Sequence, residues 1–69
     1  MLRHPVESSN LKSVGYDSER RVLEVEFVGG AVYQYDGVPP TVYAQLMSAA
    51  SHGSYFSANI RNVYAFRKV

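Results

Sequence analysis

Tyrosines and basic residues are the side chains in this chain whose types and spacing could do chemistry. Tyr33 and Tyr35 alternate within one short segment, so their rings face the same way if that segment is extended. Aromatic stacking combined with basic side chains is the usual means by which proteins hold single-stranded nucleic acid. The C-terminal segment contributes one more ring and three cations to this candidate nucleic-acid-binding set: Tyr64, Arg61, Arg67 and Lys68.

Catalysis and metal binding have weaker support in the sequence. The two histidines, His4 and His52, and the two aspartates, Asp17 and Asp36, match no spacing of nucleophile, base and orienting group. Two histidines alone are a weak indication of a metal site. His52 is followed by a glycine between two predicted helices, so we expect it at the helix junction. We therefore predict a non-enzymatic protein that needs no cofactor and no metal.

Length and charge narrow the class of protein further. The 69 residues are enough for one small domain, and we expect a single domain over residues 1–69. Without cysteine, neither a disulfide nor a thiolate metal site can supplement the core. A net charge of +1 excludes a strongly polycationic nucleic-acid binder but permits a local basic patch. With no signal peptide and no apolar run of about 20 residues, the simplest expectation is a soluble cytoplasmic protein without a membrane partner.

Three strands are predicted in the first half of the chain. Alternating apolar and polar residues predict strands over 11–16, 22–28 and 31–35, with the clearest alternation in the second. The first eight residues show no such pattern and are expected to form an irregular lead-in.

Two helices are predicted in the second half. Prolines open an apolar stripe that recurs every three or four residues over 40–50. His52 and Gly53 are expected to break the helix, with Ser54 as the N-cap of a shorter one that ends near Arg61. Residues 62–69 fit either a helix or a strand, and we favour an extended tail that docks along the sheet. The predicted fold class is α+β: a three-stranded antiparallel meander, then two helices packed on one face, then an extended C-terminal tail.

The hairpin around Gly29 and Gly30 decides where the tyrosines lie, because a slip of one residue moves every side chain to the other face. If the two glycines form a two-residue turn, the commonest kind, the tyrosines lie opposite Glu24 and Glu26. They then form an exposed platform on the acidic side of the sheet.

A three-residue loop over 28–30, with a type I turn and its last glycine left-handed, gives the other register. Val25 then faces Tyr33 and Leu23 faces Tyr35. This register separates polar from apolar side chains better, so we favour it, and it predicts that both rings are buried. The core predicted with it consists of Leu23, Val25, Phe27, Tyr33, Tyr35, Leu46, Phe56 and Ile60.

An ordered series of short motifs across the chain resembles the KTSC domain. This small module is named for the C-terminal region of some lysyl-tRNA synthetases and also occurs as a stand-alone protein. The resemblance covers roughly residues 5–69 and implies a stand-alone KTSC protein. RNA binding has been suggested for this family because of its association with the synthetase. It rests on Val14-Gly15-Tyr16-Asp17, Leu23-x-Val25-x-Phe27, Tyr33-x-Tyr35, Val38-Pro39, Tyr43-x-x-Leu46 and Ser51-x-Gly53-x-Tyr55-Phe56, followed by Ile60-Arg61 and Tyr64. Ser57 stands where the family usually has asparagine.

Two functions are compatible with these patterns. The first is an accessory module that binds RNA, such as tRNA, through its C-terminal basic segment. The second is a protein-binding or self-associating module that uses a sheet edge or the groove between the helices near Tyr43 and Met47. The alternative to RNA binding is a purely structural role, in which the tyrosine rings pack in the core and the C-terminal cations are exposed to solvent. A monomer is the expected state.

Overall fold

Five antiparallel strands and two helices form along the chain, and a computed structural model describes all residues, 1–69. The strands make one sheet in the order of the sequence, with both helices inserted between the last two strands. The fold is therefore α+β, but the predicted three-stranded meander gains one strand at each edge. The elements are β1 (Arg3–Pro5), β2 (Leu11–Asp17), β3 (Val22–Phe27), β4 (Val32–Tyr35), α1 (Pro40–Ser48), α2 (His52–Asn59) and β5 (Phe66–Lys68).

The β3–β4 hairpin has the register of the three-residue loop. Val25 lies opposite Tyr33, and Leu23 lies opposite Tyr35. The backbone N–H of Phe27 donates to the carbonyl of Ala31 over 2.8 Å, which closes the loop. The predicted positive φ of the last glycine is confirmed at +101°. The preceding glycine also has a positive φ, +106°, so the turn is of type II and the predicted type I turn is wrong.

The prediction of an irregular lead-in over residues 1–8 is wrong. Residues 3–5 form β1 and pair with Ser13–Gly15 of β2. Gly15 permits this approach, because a Cβ there would lie 2.6 Å from the carbonyl oxygen of Leu2. Its three residues include a histidine and a proline and show no alternation of apolar and polar side chains. The strand is therefore recognisable only from its pairing with β2.

The C-terminal tail is a strand. Phe66 lies opposite Tyr35 and Lys68 opposite Tyr33, so β5 extends the sheet beyond β4. Asn62, with φ +65°, reverses the chain shortly after α2. The extended tail along the sheet was the favoured expectation, and the alternative helix over these residues does not form.

The second helix begins earlier than predicted. Its N-cap is Ser51, whose Oγ accepts a hydrogen bond from the backbone N–H of Ser54 over 3.2 Å. The predicted break at His52 and Gly53 and the predicted cap at Ser54 are therefore wrong. Gly53 is buried in the first turn against the side chain of Asn10, where a Cβ would clash. The sequence has serines at both 51 and 54, and either could cap a helix. The contact between Asn10 of the β1–β2 loop and Gly53 in the first turn of α2 could not be seen in the sequence.

The core lies between the helices and the face of the sheet that carries Leu23 and Val25. Tyr35, in the middle of this face, is only 4% exposed, whereas Phe27 and Tyr33 are half-buried and pack against the core from one side. Tyr33 therefore departs from the predicted burial of both hairpin tyrosines. The buried core residues are Leu11, Val14, Leu23, Val25, Tyr35, Val38, Leu46, Phe56 and Ile60.

Candidate functional site

An aromatic cleft opens between α2 and the last two strands of the sheet, on the face that carries the helices. Its volume is about 390 Å³. This volume lies within the range of roughly 300–1,000 Å³ that is typical of small-ligand sites. We call it the aromatic cleft; the residues that line it are Asn10, Phe27, Tyr33, Tyr35, Phe56, Ser57, Arg61, Asn62 and Phe66.

The rings of the aromatic cleft form one connected cluster. Phe56 of α2 meets the ring of Tyr35 edge-on, with centroids 5.3 Å apart. Phe66 of β5 lies 5.8 Å from the rings of both Tyr33 and Tyr35. Phe66 is 56% exposed, so this cluster reaches the solvent at its β5 end. The open ring surface gives an incoming flat ligand an aromatic wall on which to stack.

Polar side chains form the rim of the cleft. Arg61 follows α2 directly and has no carboxylate partner, because the ion pairs of the molecule use Arg3, Arg20 and Arg67. Asn10 reaches the rim from the β1–β2 loop.

Two contacts hold Asn10 in place. Its Oδ1 accepts a hydrogen bond from the Ser8 hydroxyl over 3.0 Å, and its side chain packs on the bare backbone of Gly53. In the motif Ser51-x-Gly53, the serine caps the N-terminus of α2, and the glycine allows the β1–β2 loop to pack against the first turn of this helix.

The opposite face of the sheet carries a polar network that joins both edge strands. Arg3 Nη1 donates to Glu24 Oε2 over 2.7 Å, and Gln34 Nε2 donates to Glu24 Oε1 over 2.8 Å. Arg67 Nη2 donates to Gln34 Oε1 over 2.8 Å, and Arg67 Nη1 donates to the carboxylate of Asp36 over 2.7 and 2.9 Å. We call this chain of side chains the polar network; it spans the sheet from β1 to β5.

Glu24 is the buried centre of the polar network. Burial alone would raise its pKa, but the hydrogen bonds from Gln34 and Arg3 and the charge of Arg3 outweigh this effect, so the pKa of Glu24 lies below its usual value. The bare Gly15 on β2 leaves room for the Arg3 side chain, since a Cβ there would also lie 3.0 Å from its Cγ. The carboxylate is therefore ionised and paired at neutral pH.

The predicted nucleic-acid-binding residues do not form one surface. Arg61 lies at the rim of the aromatic cleft, and Lys68 lies on the same face of the sheet, opposite Tyr33. Tyr64 is partly buried against the core. Arg67 lies on the other face, where Asp36 neutralises its charge.

The sequence reasoning missed Phe66, Asn10 and Ser57 as parts of one site. Phe66 carried a signal, since Tyr64, Phe66 and Lys68 alternate as in a strand. Asn10 and Ser57 gave no such signal, because Asn10 belongs to a loop and Ser57 lies on the exposed side of a short helix.

His52 lies at the junction of the two helices, as predicted. Its Nδ1 lies 2.8 Å from the carbonyl oxygen of Leu46 near the end of α1, and its side chain is partly buried. No helix has the length and apolar character needed to cross a bilayer.

Comparison with known proteins gives one consistent family. The model of the KTSC domain matches residues 7–64. An uncharacterized protein of Stutzerimonas stutzeri is 49% identical over 57 residues, which cover 83% of this chain and 80% of that protein. A lysine–tRNA ligase of Nostoc punctiforme is 35% identical over 63 residues, which cover 91% of this chain but only 11% of the ligase. The crystal structure of a KTSC domain protein from Yersinia pestis superposes with a TM-score of 0.94 at 42% identity, covering 99% of this chain and 96% of that one.

Proposed function

The chain belongs to the KTSC domain family, and from this membership and the aromatic cleft we propose that it is a small non-enzymatic module that binds single-stranded RNA. The observation that carries the proposal is an open aromatic surface with unpaired cations beside it. Single-stranded RNA is typically held in this way, with bases on rings and phosphates on basic side chains.

The distribution of charge supports this site over the other face of the sheet. Glu24, Glu26 and Asp36 all lie on the face away from the cleft, and Arg3 and Arg67 pair with them. A phosphate near the aromatic cleft would therefore meet no carboxylate of the sheet.

The cations near the cleft are free to bind phosphate. Arg61 and Lys68 make no ion pair within the molecule, and both side chains are exposed. Relatives of this chain that are named lysine–tRNA ligases contain a similar region, which makes tRNA the first RNA to test.

A titration of fluorescently labelled tRNA and of single-stranded oligonucleotides, at about 50 and 200 mM salt, tests the proposal. We expect saturable binding that weakens as salt rises. The double variant Arg61→Gln, Lys68→Gln should bind about tenfold more weakly and show a shallower salt dependence, because it removes two phosphate contacts.

The matched control for this titration is Arg20→Gln. Arg20 is a highly exposed cation in the β2–β3 turn, with only a long ion pair to Asp17. Its loss should change affinity by less than about twofold. Equal losses from the cleft variant and the control, or no saturable binding of any RNA, would contradict the proposal.

The second candidate function is the binding of a protein partner at the β5 edge. Favouring it, all three residues of β5 are exposed at the edge of the sheet, and Val63, Phe66 and Val69 are exposed apolar residues around it. An open edge can accept an added strand from a partner or from a second copy. Association that depends on concentration in sedimentation, without any RNA binding, would favour this candidate.

A further inference from the structure

The hydroxyl of Tyr35 is a polar group without a partner at the floor of the aromatic cleft. Tyr35 is only 4% exposed, and it lines the cleft. The hydroxyls of Tyr16 and Tyr55 donate to Val38 and Gln45, whereas that of Tyr35 makes no hydrogen bond. The hydroxyls of Tyr33, Tyr43 and Tyr64 make none either, but these residues are more exposed than Tyr35. Buried tyrosine hydroxyls normally find a partner.

The cleft is the place where a partner can reach this hydroxyl. No sealed side-chain oxygen or nitrogen of the molecule lacks a hydrogen bond, so the unbonded oxygen of Tyr35 is not closed off from the outside. The ring itself is enclosed by Phe56 and Phe66, each within 6 Å of its centroid. A ligand in the cleft can reach this hydroxyl, because Tyr35 lines the cleft and the charge of Arg61 at its rim acts on the pKa of the Tyr35 phenol.

Arg61 and Asn10 bring hydrogen-bond donors to this cleft, while the Ser57, Asn62 and Tyr33 side chains beside them can both donate and accept. Burial raises the pKa of Tyr35, with a further rise from Tyr33 and an opposing effect of Arg61, so the phenol stays protonated at neutral pH. The guanidinium of Arg61 has donors only. Asn10 uses its Oδ1 for the Ser8 hydroxyl, which leaves its amide N–H groups free. A ligand atom that accepts hydrogen bonds fits this environment best.

We propose that the aromatic cleft holds one unpaired RNA base whose distal carbonyl oxygen, O4 of uracil or O6 of guanine, accepts a hydrogen bond from the Tyr35 hydroxyl. The base would stack on the exposed ring of Phe66, with Arg61 at the rim beside the phosphate. This proposal rests on the proposed function and adds a preference for keto bases to it.

The direction of entry selects that oxygen. The ribose and phosphate remain at the mouth of the cleft because they continue into the RNA chain, so the edge of the base far from the ribose reaches the floor. Uracil has a carbonyl oxygen at this edge, which can accept from the Tyr35 hydroxyl and from Arg61, whereas cytosine has an amino group, which can only donate and therefore cannot bond to Arg61. The O2 atom that both pyrimidines share lies beside the ribose and stays near the mouth.

Affinities of the wild-type protein for oligo-uridine and oligo-cytidine of equal length test the proposal first. We expect oligo-uridine to bind about five- to tenfold more tightly, as one hydrogen bond gained and one donor–donor contact avoided predict. Because this comparison needs no variant, it does not depend on whether a substituted protein folds.

The variant Tyr35→Phe identifies the group responsible. It keeps the buried ring and removes the hydroxyl, so it should weaken oligo-uridine binding about fivefold and change oligo-cytidine binding by less than twofold. Tyr43→Phe is the matched control, since Tyr43 stacks on Tyr16 outside the cleft. It should leave both affinities unchanged, and thermal unfolding should show that both variants remain folded.

The outcomes separate this proposal from the proposed function. Saturable binding with equal affinities for the two RNAs overturns the base preference and leaves RNA binding intact. Equal weakening of both RNAs by Tyr35→Phe also overturns it. If neither RNA binds, the proposed function and the base preference both fail. A preference for uridine that Tyr35→Phe abolishes and Tyr43→Phe retains supports the proposal.

Discussion

At the scale of single residues, Glu24 is the side chain whose surroundings depend most on the whole sheet. Its neighbours in the polar network come from β1 and β4, and its own side chain is about 10% exposed. A carboxylate so buried remains ionised only because Arg3 and Gln34 bond to it. Loss of Arg3 would leave this charge without a close cation, and loss of Gln34 would remove one of its hydrogen bonds.

Acid should therefore weaken the fold through Glu24. Its pKa is lowered in the folded protein, so the native state binds fewer protons than the unfolded chain. The resulting stabilisation is complete above the ordinary pKa of 4.5 and is lost as the pH falls through the lower value of the folded state. Chemical unfolding from about pH 7 down to about pH 3 should show a falling free energy of unfolding below 4.5.

Glu24→Gln is the test variant for this acid effect. It should lower the free energy of unfolding at neutral pH by about 1–3 kcal/mol, because Arg3 loses its anionic partner. It should also flatten the acid part of the curve. An acid dependence as steep as that of the wild type would show that other carboxylates cause it.

The face of the sheet on which Arg67 lies could not be predicted from the sequence. A cluster of cations near a terminus predicts a basic surface, and Arg61 and Lys68 do lie on one face. Their neighbour in the sequence lies on the other face because β5 is a strand and alternates. Whether residues 62–69 were strand or helix was open from the sequence alone, so the placement of Arg67 was open too.

At the scale of elements, the three inner strands could be predicted, the extended tail that became β5 was the favoured expectation, and only β1 had no support in the sequence. The strands β2, β3 and β4 have four to seven residues and show alternation. The edge strands β1 and β5 have three residues each, so β5 could be recognised only together with the preceding Tyr64, and β1 shows no alternation at all. They form because the neighbouring inner strand offers unpaired backbone groups.

The attachment of β1 should depend on the bare backbone of Gly15. In Gly15→Ala the new Cβ would collide with the Leu2 carbonyl and with the Arg3 side chain. We expect β1 to detach, with faster amide exchange in β1 and a loss of about 2 kcal/mol in the free energy of unfolding. Hydrogen exchange followed by NMR measures both effects.

Gly29→Ala is the control for the detachment of β1. Nothing lies near a Cβ at Gly29, but its φ of +106° makes alanine strained there. This variant should lose stability as well, while β1 stays protected to the same extent as the rest of the sheet. Selective deprotection of β1 in Gly29→Ala, or its absence in Gly15→Ala, would contradict the role of Gly15.

At the scale of the whole molecule, the number of strands in the sheet determines how deeply the hairpin tyrosines, Tyr33 and Tyr35, are buried. Two helices could cover a three-stranded sheet, which would bury both hairpin rings. Because β5 adds a strand beyond β4, that end of the sheet stays open, Tyr33 remains half-buried and Phe66 is exposed. A place in the core and a place at a binding surface were alternatives in the sequence, and in the structure Tyr35 is a buried core residue that also lines the aromatic cleft.

The two faces of the sheet differ in charge, and only one of them is covered by the helices. The polar network holds Glu24, Asp36 and Arg67 on one face, while the aromatic cleft, Arg61 and Lys68 lie on the other. The alternation of the hairpin predicted that the acidic and aromatic side chains separate. The cleft itself could not be predicted, because its lining joins two loops, a helix and three strands that come from distant parts of the sequence.

Mapping of NMR chemical shifts during titration with a uridine-rich RNA shows directly whether RNA binds in the aromatic cleft. We expect saturable, salt-sensitive changes at Tyr33, Arg61 and Phe66 of the aromatic cleft, and none beyond background at Glu24 and Arg67 on the opposite face. Changes confined to the face of the polar network, or no changes at the cleft at saturating RNA, would contradict it.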